Sequence, residues 1–517
     1  MNSTQTYAIF VASIAALGGF VFGFDASVIS GVIGYASQEF NLSPWQEGFV
    51  VSSPTLGAAI ASLLAGPIAD KVGRKKVLIV IAALYLCSAI ASAMANSYQS
   101  LIIARIIGGF AFSSLVIAPI YIAEIAPAQL RGKLVSINQL NIVFGFSAAY
   151  FANYYLLNAA SNVEHWLQAY QLEQNVWRFM LAVEIVPALG YFLLLFLIPE
   201  SPRWLVLANK PQQAQITLNK LLPAAEALEQ INSIRHSVAQ QSLNLAERLK
   251  QFFSQKMRLI IIIAFTIGII QQITGVNAIY FYAPSIFEQS GVGKNAAFVQ
   301  AIWIGLTNVV FTLIAMVLID KIGRRPLFIA GLCGVILSMS LNSFAFYQAD
   351  YKLTQASAIE LSAQIAEPKL MTLAEQEFQS DIAFKQALHS VLTAEQFKQY
   401  QSDILKQATH INAPLVLFAI LFFVASFAVS LGPVMWVLLS EIFPNHLRGL
   451  AISIVGLTNS AASFITQLMF PYELATFGAP FTFIVYAVFA ALGLILIYKL
   501  LPETKGKTLE ELESVLK

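Results

Sequence analysis

Blocks of roughly 20 or more mostly apolar residues alternate with short polar stretches about twelve times along the chain. They lie near 7–30, 48–69, 77–95, 101–122, 134–157, 178–198, 258–289, 296–319, 327–347, 411–439, 449–470 and 478–500. A helix rising ~1.5 Å per residue crosses a ~30 Å hydrocarbon layer in such a length. The pattern predicts an all-α membrane protein of twelve transmembrane helices in a lipid bilayer. At 57% hydrophobic and 11% charged residues, the composition lies well outside that of ordinary soluble proteins and agrees with this reading.

The charged residues refine the picture through their distribution, since a formal net charge of +2 says nothing about partners and gives no reason to expect nucleic acid. Taking loops alternately, one side collects Lys71, Arg74, Lys75, Lys76, Arg131, Lys133, Arg203, Lys321, Arg324, Arg325, Arg448, Lys505 and Lys507. The positive-inside rule makes that side cytoplasmic, with both termini on it. The N-terminal block lacks a basic n-region and a small-residue cleavage site, so it reads as a retained first span. Cys87 and Cys333 sit in different predicted spans, and His165, His236, His389, His410 and His446 are scattered, so neither a metal site nor a cofactor is expected.

An internal duplication organises the spans. Asp70-Lys-Val-Gly-Arg-Lys-Lys76 recurs as Asp320-Lys-Ile-Gly-Arg-Arg-Pro326, and Glu124-Ile-Ala-Pro-Ala-Gln-Leu-Arg131 recurs as Glu441-Ile-Phe-Pro-Asn-His-Leu-Arg448. Pro199-Glu-Ser-Pro-Arg-Trp204 closes the first half and Pro502-Glu-Thr-Lys-Gly506 the second. The expected organisation is a six-helix bundle over 1–200, a cytoplasmic helical linker over 201–257, a second bundle over 258–501 and a tail over 502–517. The second motif repeats at a longer offset than the first, which places an extra polar segment at about 348–410, between spans nine and ten. It is expected outside the cytoplasm as short amphipathic helices, with a capping box at Thr372-Leu-Ala-Glu375. Parallel halves related by an axis along the membrane normal suit a carrier that rocks around a central site. No G-x-x-x-x-G-K-[ST] loop occurs, so its energy is expected from a gradient. The opposite charges Asp70, Arg74, Glu124 and Arg131, with Asp320, Arg324, Glu441 and Arg448, suit breakable latches at cytoplasmic helix ends, Asp70 with Arg74 and Glu124 with Arg131.

These paired G-R-[KR] and Glu…Arg-Gly loops, together with "PESPRW", "QQITGVNAIYFYAP", "GPVMWVLLSEIFP" and "PETKG", occur in an order that resembles the sugar-porter family of the major facilitator superfamily. Within it the chain is most similar to bacterial proton/monosaccharide symporters. The resemblance implies the major facilitator fold with alternating access, a bacterial inner-membrane location, and proton-driven import of a neutral monosaccharide such as xylose, glucose or galactose by a monomer.

Polar side chains inside apolar spans are expensive and mark function or a satisfied helix contact. Gln139, Gln271, Gln272, Asn277, Asn308 and Asn459 are neutral amides that both donate and accept, as a polyhydroxylated ligand requires. Trp436 offers a flat apolar wall. On an ideal helix Asn277 would not share a face with Gln271 or Gln272, so the seventh span is expected to break at Thr274-Gly275. The resemblance carries sugar hydrogen bonding onto the six amides and ring stacking onto Trp436. Near relatives have a second glutamine where Phe146 stands, and many members have tryptophan at Ser460.

Asp25, in "GGFVFGFDASVISG", is the costly residue of the first span, at ~2.5–3.5 kcal/mol on insertion scales. Arg105, in "LIIARIIGGF", can offset it: pairing favours the carboxylate, and separation in an apolar setting favours the neutral acid. The resemblance assigns proton coupling to Asp25, with Arg105 as modulator and Glu184 assisting. The alternatives are a facilitative sugar or polyol carrier, against which Asp25 stands, and a non-transporting sensor, against which stands a tail of only about 17 residues. An enzyme is disfavoured because no nucleophile–base set is clustered.

Overall fold

The computed structural model describes residues 3–127, 129–162, 166, 168, 171–222, 227, 231, 234 and 245–505. Among them, eleven helical stretches are long and apolar enough to cross a membrane. They are Thr4–Glu39, Pro44–Val72, Arg74–Ala93, Tyr98–Ile125, Arg131–Ala160, Leu172–Leu197, Gln255–Gln289, Lys294–Ile322, Arg324–Tyr347, Ala413–Ile442 and Leu447–Leu500. The last has 54 residues, about 80 Å at 1.5 Å each, far more than one crossing needs. Gly478, at φ 80° and ψ 168° with Pro480 after it, divides it into two, giving twelve spans.

The first span runs further than its apolar block, to Glu39. Its end is anchored by the sixth span, where Trp177 Nε1 donates to Glu39 Oε2 at 2.7 Å and Arg178 pairs with Oε1. Two glycines let the first and fifth spans approach at backbone distance. A Cβ on Gly23 would stand 2.1 Å from the Ile142 carbonyl oxygen, and one on Gly145 would stand 2.1 Å from that of Phe20.

Several spans are interrupted, and the interruptions lie where polar chemistry is found. The fourth breaks between Ala111 and Ser114, the sixth between Ala182 and Ile185, and the tenth at Ser430 (φ −132°, ψ −87°). The seventh breaks at Thr274-Gly275, where Gly275 adopts the left-handed conformation with φ +87°. A Cβ there would also meet the Tyr486 ring at 2.8 Å, so glycine serves both the turn and the packing.

The polar segment after the ninth span folds around a small core of its own that includes Tyr351, Leu361, Phe384, Phe397 and Leu405. Three helices, Gln355–Ile365, Asp381–Val391 and Ala394–Ala408, accompany a three-stranded antiparallel sheet. Its central strand β1 (Asp350–Lys352) pairs with β2 (Glu377–Phe378) on one side and β3 (Thr409–His410) on the other. The expected capping box at Thr372 does not form. Glu375 instead pairs with Lys352 at 2.9 Å and accepts from the Gln355 amide at 3.0 Å, while Pro368–Leu373 is a 3-10 turn. A capping box forms at Thr393 with Gln396, starting the third helix. Of the linker's expected helical stretch, 223–226, 228–230, 232–233 and 235–240 lie outside the described residues, as does the tail beyond Lys505.

Candidate functional site

Asp25 and Arg105 form an ion pair, with Arg105 Nη1 on Asp25 Oδ1, and both side chains are buried to within 2% of complete exclusion. Arg105 Nη2 also donates to the Asp25 carbonyl at 3.4 Å. The other carboxylate oxygen, Oδ2, has no hydrogen-bond partner among the described residues and faces Gly108, whose missing Cβ would stand 3.0 Å away. Glu184 lies at the break in the sixth span, is equally buried, and is within electrostatic reach of both Asp25 and Arg105. Tyr85 and Tyr191 complete the surroundings; Tyr85 is hydrogen-bonded to Ser114 at 2.9 Å. Asp25 thus holds the buried guanidinium, and Glu184 lies near it with its Oε1 unbonded among the described residues.

In the second half the amides are joined in one network. Gln271 Nε2 donates to the Leu431 carbonyl at 3.1 Å and the Gly432 carbonyl at 3.4 Å, beside the break in the tenth span. Its Oε1 accepts from Asn459 at 2.8 Å and from Gln272 at 3.3 Å. Gln272 Nε2 also donates to Asn459 Oδ1 at 3.2 Å, and its Oε1 accepts from Asn277 at 2.8 Å. That last bond spans the turn at Gly275, which rotates Asn277 onto the face of the two glutamines. Asn277 donates further to Ser463 at 2.6 Å. Gln139, Asn308 and Trp436 do not bond into this network among the described residues: Gln139 and Trp436 are exposed on the fifth and tenth spans, and Asn308 is buried on the eighth. Ser463 and Gln467 belong to the network and were absent from the sequence reading. Ser463 lies four residues after Asn459 and Gln467 four after Ser463, a spacing that marks one helix face and was the available signal.

At the basic-loop face the duplication is repeated in its ion pairs, residue for residue, in a pairing that corrects the sequence expectation. Arg74 bonds both Asp70 (2.7 Å) and Glu124 (3.2 Å), and Arg324 bonds both Asp320 (3.2 Å) and Glu441 (2.9 Å). Glu124 therefore pairs with Arg74 and not with Arg131. Arg74, at the buried start of the third span, points at the end of the fourth, whereas Arg131 opens the fifth span exposed and has no ion pair among the described residues. Thr504 donates to Glu441 at 2.6 Å, as Ser201 does to Glu124 at 2.5 Å. Glu200 caps the amide of Lys75, and Glu503 caps those of Arg324 and Arg325.

The hydrogen bonds and ring contacts between the halves all lie toward the opposite face among the described residues. Trp45 stacks on Tyr472 with centroids 4.6 Å apart, Phe49 meets Phe464 edge to face, and Tyr150 donates to the Tyr280 carbonyl at 2.6 Å. Thr55 and Gln467 bond at 3.1 Å. The inserted segment joins in: Lys398 donates to the Leu42 carbonyl at 3.3 Å and accepts through its own carbonyl from Gln38 at 2.7 Å. Among the described residues, the halves are thus joined by side-chain contacts on the insertion face.

Twelve spans in two duplicated halves, joined at one face around buried polar clusters, define a membrane carrier of the major facilitator fold. The chain belongs to the family described as "Sugar (and other) transporter", whose model matches residues 11–362 and 384–516. It is 34% identical to the arabinose-proton symporter of Bacillus subtilis, over 99% of this chain and 96% of the relative. It is 33% identical to the D-xylose-proton symporter of Escherichia coli over the same shares. Among solved structures, the inward-open xylose transporter XylE from E. coli superposes with a TM-score of 0.75 at 31% identity, covering 98% of this chain and all of that one. The same transporter bound to 6-bromo-6-deoxy-D-glucose gives 0.69 at 32% identity, covering 99% and 100%. The chain is thus a multi-pass membrane transporter with bacterial relatives, and not an enzyme.

Proposed function

We propose that this protein is a secondary active transporter that imports a neutral monosaccharide by proton symport. The observation that carries the reading is the buried Asp25–Arg105 pair with Glu184 beside it. Asp25 accepts the proton on Oδ2, the oxygen without a partner. Neutralising it weakens its hold on Arg105, whose charge then turns to Glu184, so that protonation and the relation of the first, fourth and sixth spans are linked. The names of the relatives, arabinose and xylose proton symporters, support this assignment.

Gln271, Gln272, Asn277 and Asn459 bind the sugar hydroxyls, exchanging bonds among themselves for bonds to the ligand. Gln139 and Asn308 approach from their own spans, and Trp436 supplies the stacking wall. Arg74 with Asp70 and Glu124, and Arg324 with Asp320 and Glu441, are latches at the basic-loop ends, with Arg131 and Arg448 as loop charges on the same face. That face is cytoplasmic by its charge, which puts both termini inside. The working unit is a monomer in a bacterial inner membrane, with bundles over 1–200 and 258–501, a linker over 201–257, an external insertion at about 348–410 and a tail over 502–517.

Reconstitution in liposomes tests the reading. Labelled arabinose, xylose, glucose and galactose are supplied with and without an imposed proton gradient. Accumulation of one of them above its external level, only with the gradient, is expected. Equilibration to the same level in both conditions would make the protein a facilitator.

A further inference from the structure

One polar chain runs from the amide network to the other half of the molecule. Asn277 Nδ2 donates to Ser463 Oγ at 2.6 Å, Gln467 Nε2 donates to the same oxygen at 2.7 Å, and Gln467 also exchanges bonds with Thr55 Oγ1 at 3.1 and 3.3 Å. Ser463 and Gln467 are buried on the face of the eleventh span that also carries Asn459, and Thr55 belongs to the second span. Around this crossing the spans lie at backbone distance: a Cβ on Gly48 would stand 2.2 Å from the Leu468 carbonyl oxygen. The ring contacts beside it, Trp45 with Tyr472 and Phe49 with Phe464, have no directional polar link to the amides.

We infer that Gln467 is a positioning residue for transport: through Ser463 it sets the orientation of the sugar-binding amide Asn277, and through Thr55 it holds the two halves together on the insertion face. One side chain thereby serves both occupancy and closure. A sugar hydroxyl that takes the Asn277 donor frees the Ser463 oxygen, and Gln467 answers to both neighbours because its amide bonds each of them. When the halves part on this face the Thr55 bonds break, and Gln467 is left to Ser463 alone. The inference rests on the proposed sugar site, whereas its closure arm rests on the Thr55 contact only.

The two arms separate by substitution. Thr55→Val removes the hydroxyl that touches Gln467 and leaves Ser463 and Asn277 untouched; Gln467→Leu removes both links. Distances between spin labels at positions 94 and 475, near the insertion-face ends of the third span and of the eleventh, read closure without sugar. Loss of one net hydrogen bond is expected to raise the open population about fivefold in either variant. KM for the transported sugar is expected to rise about fivefold in Gln467→Leu and to stay within about twofold in Thr55→Val. In the double variant the closure effect should match that of Gln467→Leu alone. Unchanged distances and KM in Gln467→Leu would overturn the inference, as would equal KM changes in both variants, which would make Gln467 a packing residue. A wild-type protein that moves none of the sugars would overturn the transport reading itself, with the closure distances still reporting on Thr55 and Gln467.

Discussion

Replacing Asp25 by asparagine separates the two jobs given to this residue, folding partner and proton carrier. The substitution keeps the shape and leaves an oxygen where Oδ1 accepts from Arg105 Nη1, but it removes the charge that balances a guanidinium only 2% exposed. Breaking a buried pair by removing one partner typically costs about 3–5 kcal/mol. The lower end applies here, because the amide retains the hydrogen bond and Glu184 remains within reach of Arg105. The variant should therefore fold with reduced thermal stability. Its energetic coupling should vanish: a membrane potential of 100 mV is worth about 2.3 kcal/mol per proton, or roughly a 50-fold accumulation of sugar, and without a titratable carboxyl the ratio falls to one. Proteoliposomes loaded with unlabelled sugar measure exchange, which needs no net proton movement, and the same vesicles under a potential measure accumulation. Exchange should persist while accumulation is lost. If Asp25→Asn still concentrates sugar tenfold or more, the proton travels by another group and the buried pair is a structural tie.

Two further outcomes follow from the geometry. Gly145→Ala would push a methyl group to 2.1 Å from the Phe20 carbonyl oxygen, so the first and fifth spans must separate; we expect a loss of several degrees in melting temperature and of transport, measured by thermal shift and uptake. In the inserted segment, the hydrogen bond and charge of Lys352 and the Gln355 amide hold the Glu375 carboxyl below its ordinary value of 4.5. A depressed acid contributes stability above its unfolded value and loses it as the pH falls through the folded one. The protection of amides over residues 350–378, measured against the exchange of unstructured chain at the same pH, should accordingly fall as the solution is acidified below the ordinary carboxylate range and stay level between pH 6 and 8.

The spans were readable because apolar length is a one-dimensional property. The break in the seventh span was readable too, since Gly275 lies between amides that a continuous helix would turn to different faces. The choice of ion-pair partner was not. Glu124 has Arg131 seven residues ahead in sequence, but a helix end and a loop turn them apart, and the packing of the third span on the fourth brings Arg74 instead. The capping box at Thr372 failed for a similar reason, since Glu375 finds a lysine on β1 that no local pattern indicates. β2 and β3 are two residues each and pair over long separations, too short to leave an alternation in the sequence. Of the proposed sugar ligands, the four on the seventh and eleventh spans meet in one half, whereas Gln139 stands across the division between halves. Its distance from them depends on the stage of the cycle, a quantity that neither periodicity nor motif contains.

The helix Ala394–Ala408 leans on both halves at once. Leu405 and Lys406 rest against Gly291 and Gly293 of the turn between the seventh and eighth spans, while Lys398 reaches Asn41 and Leu42 at the end of the first. These two footings belong to bodies that must move apart whenever this side admits solute. A surface composed of residues near Lys398 together with those near Asn41 exists as one epitope only while they are together. An antibody fragment raised against that composite surface would recognise one state of the carrier and arrest its return stroke from the insertion face.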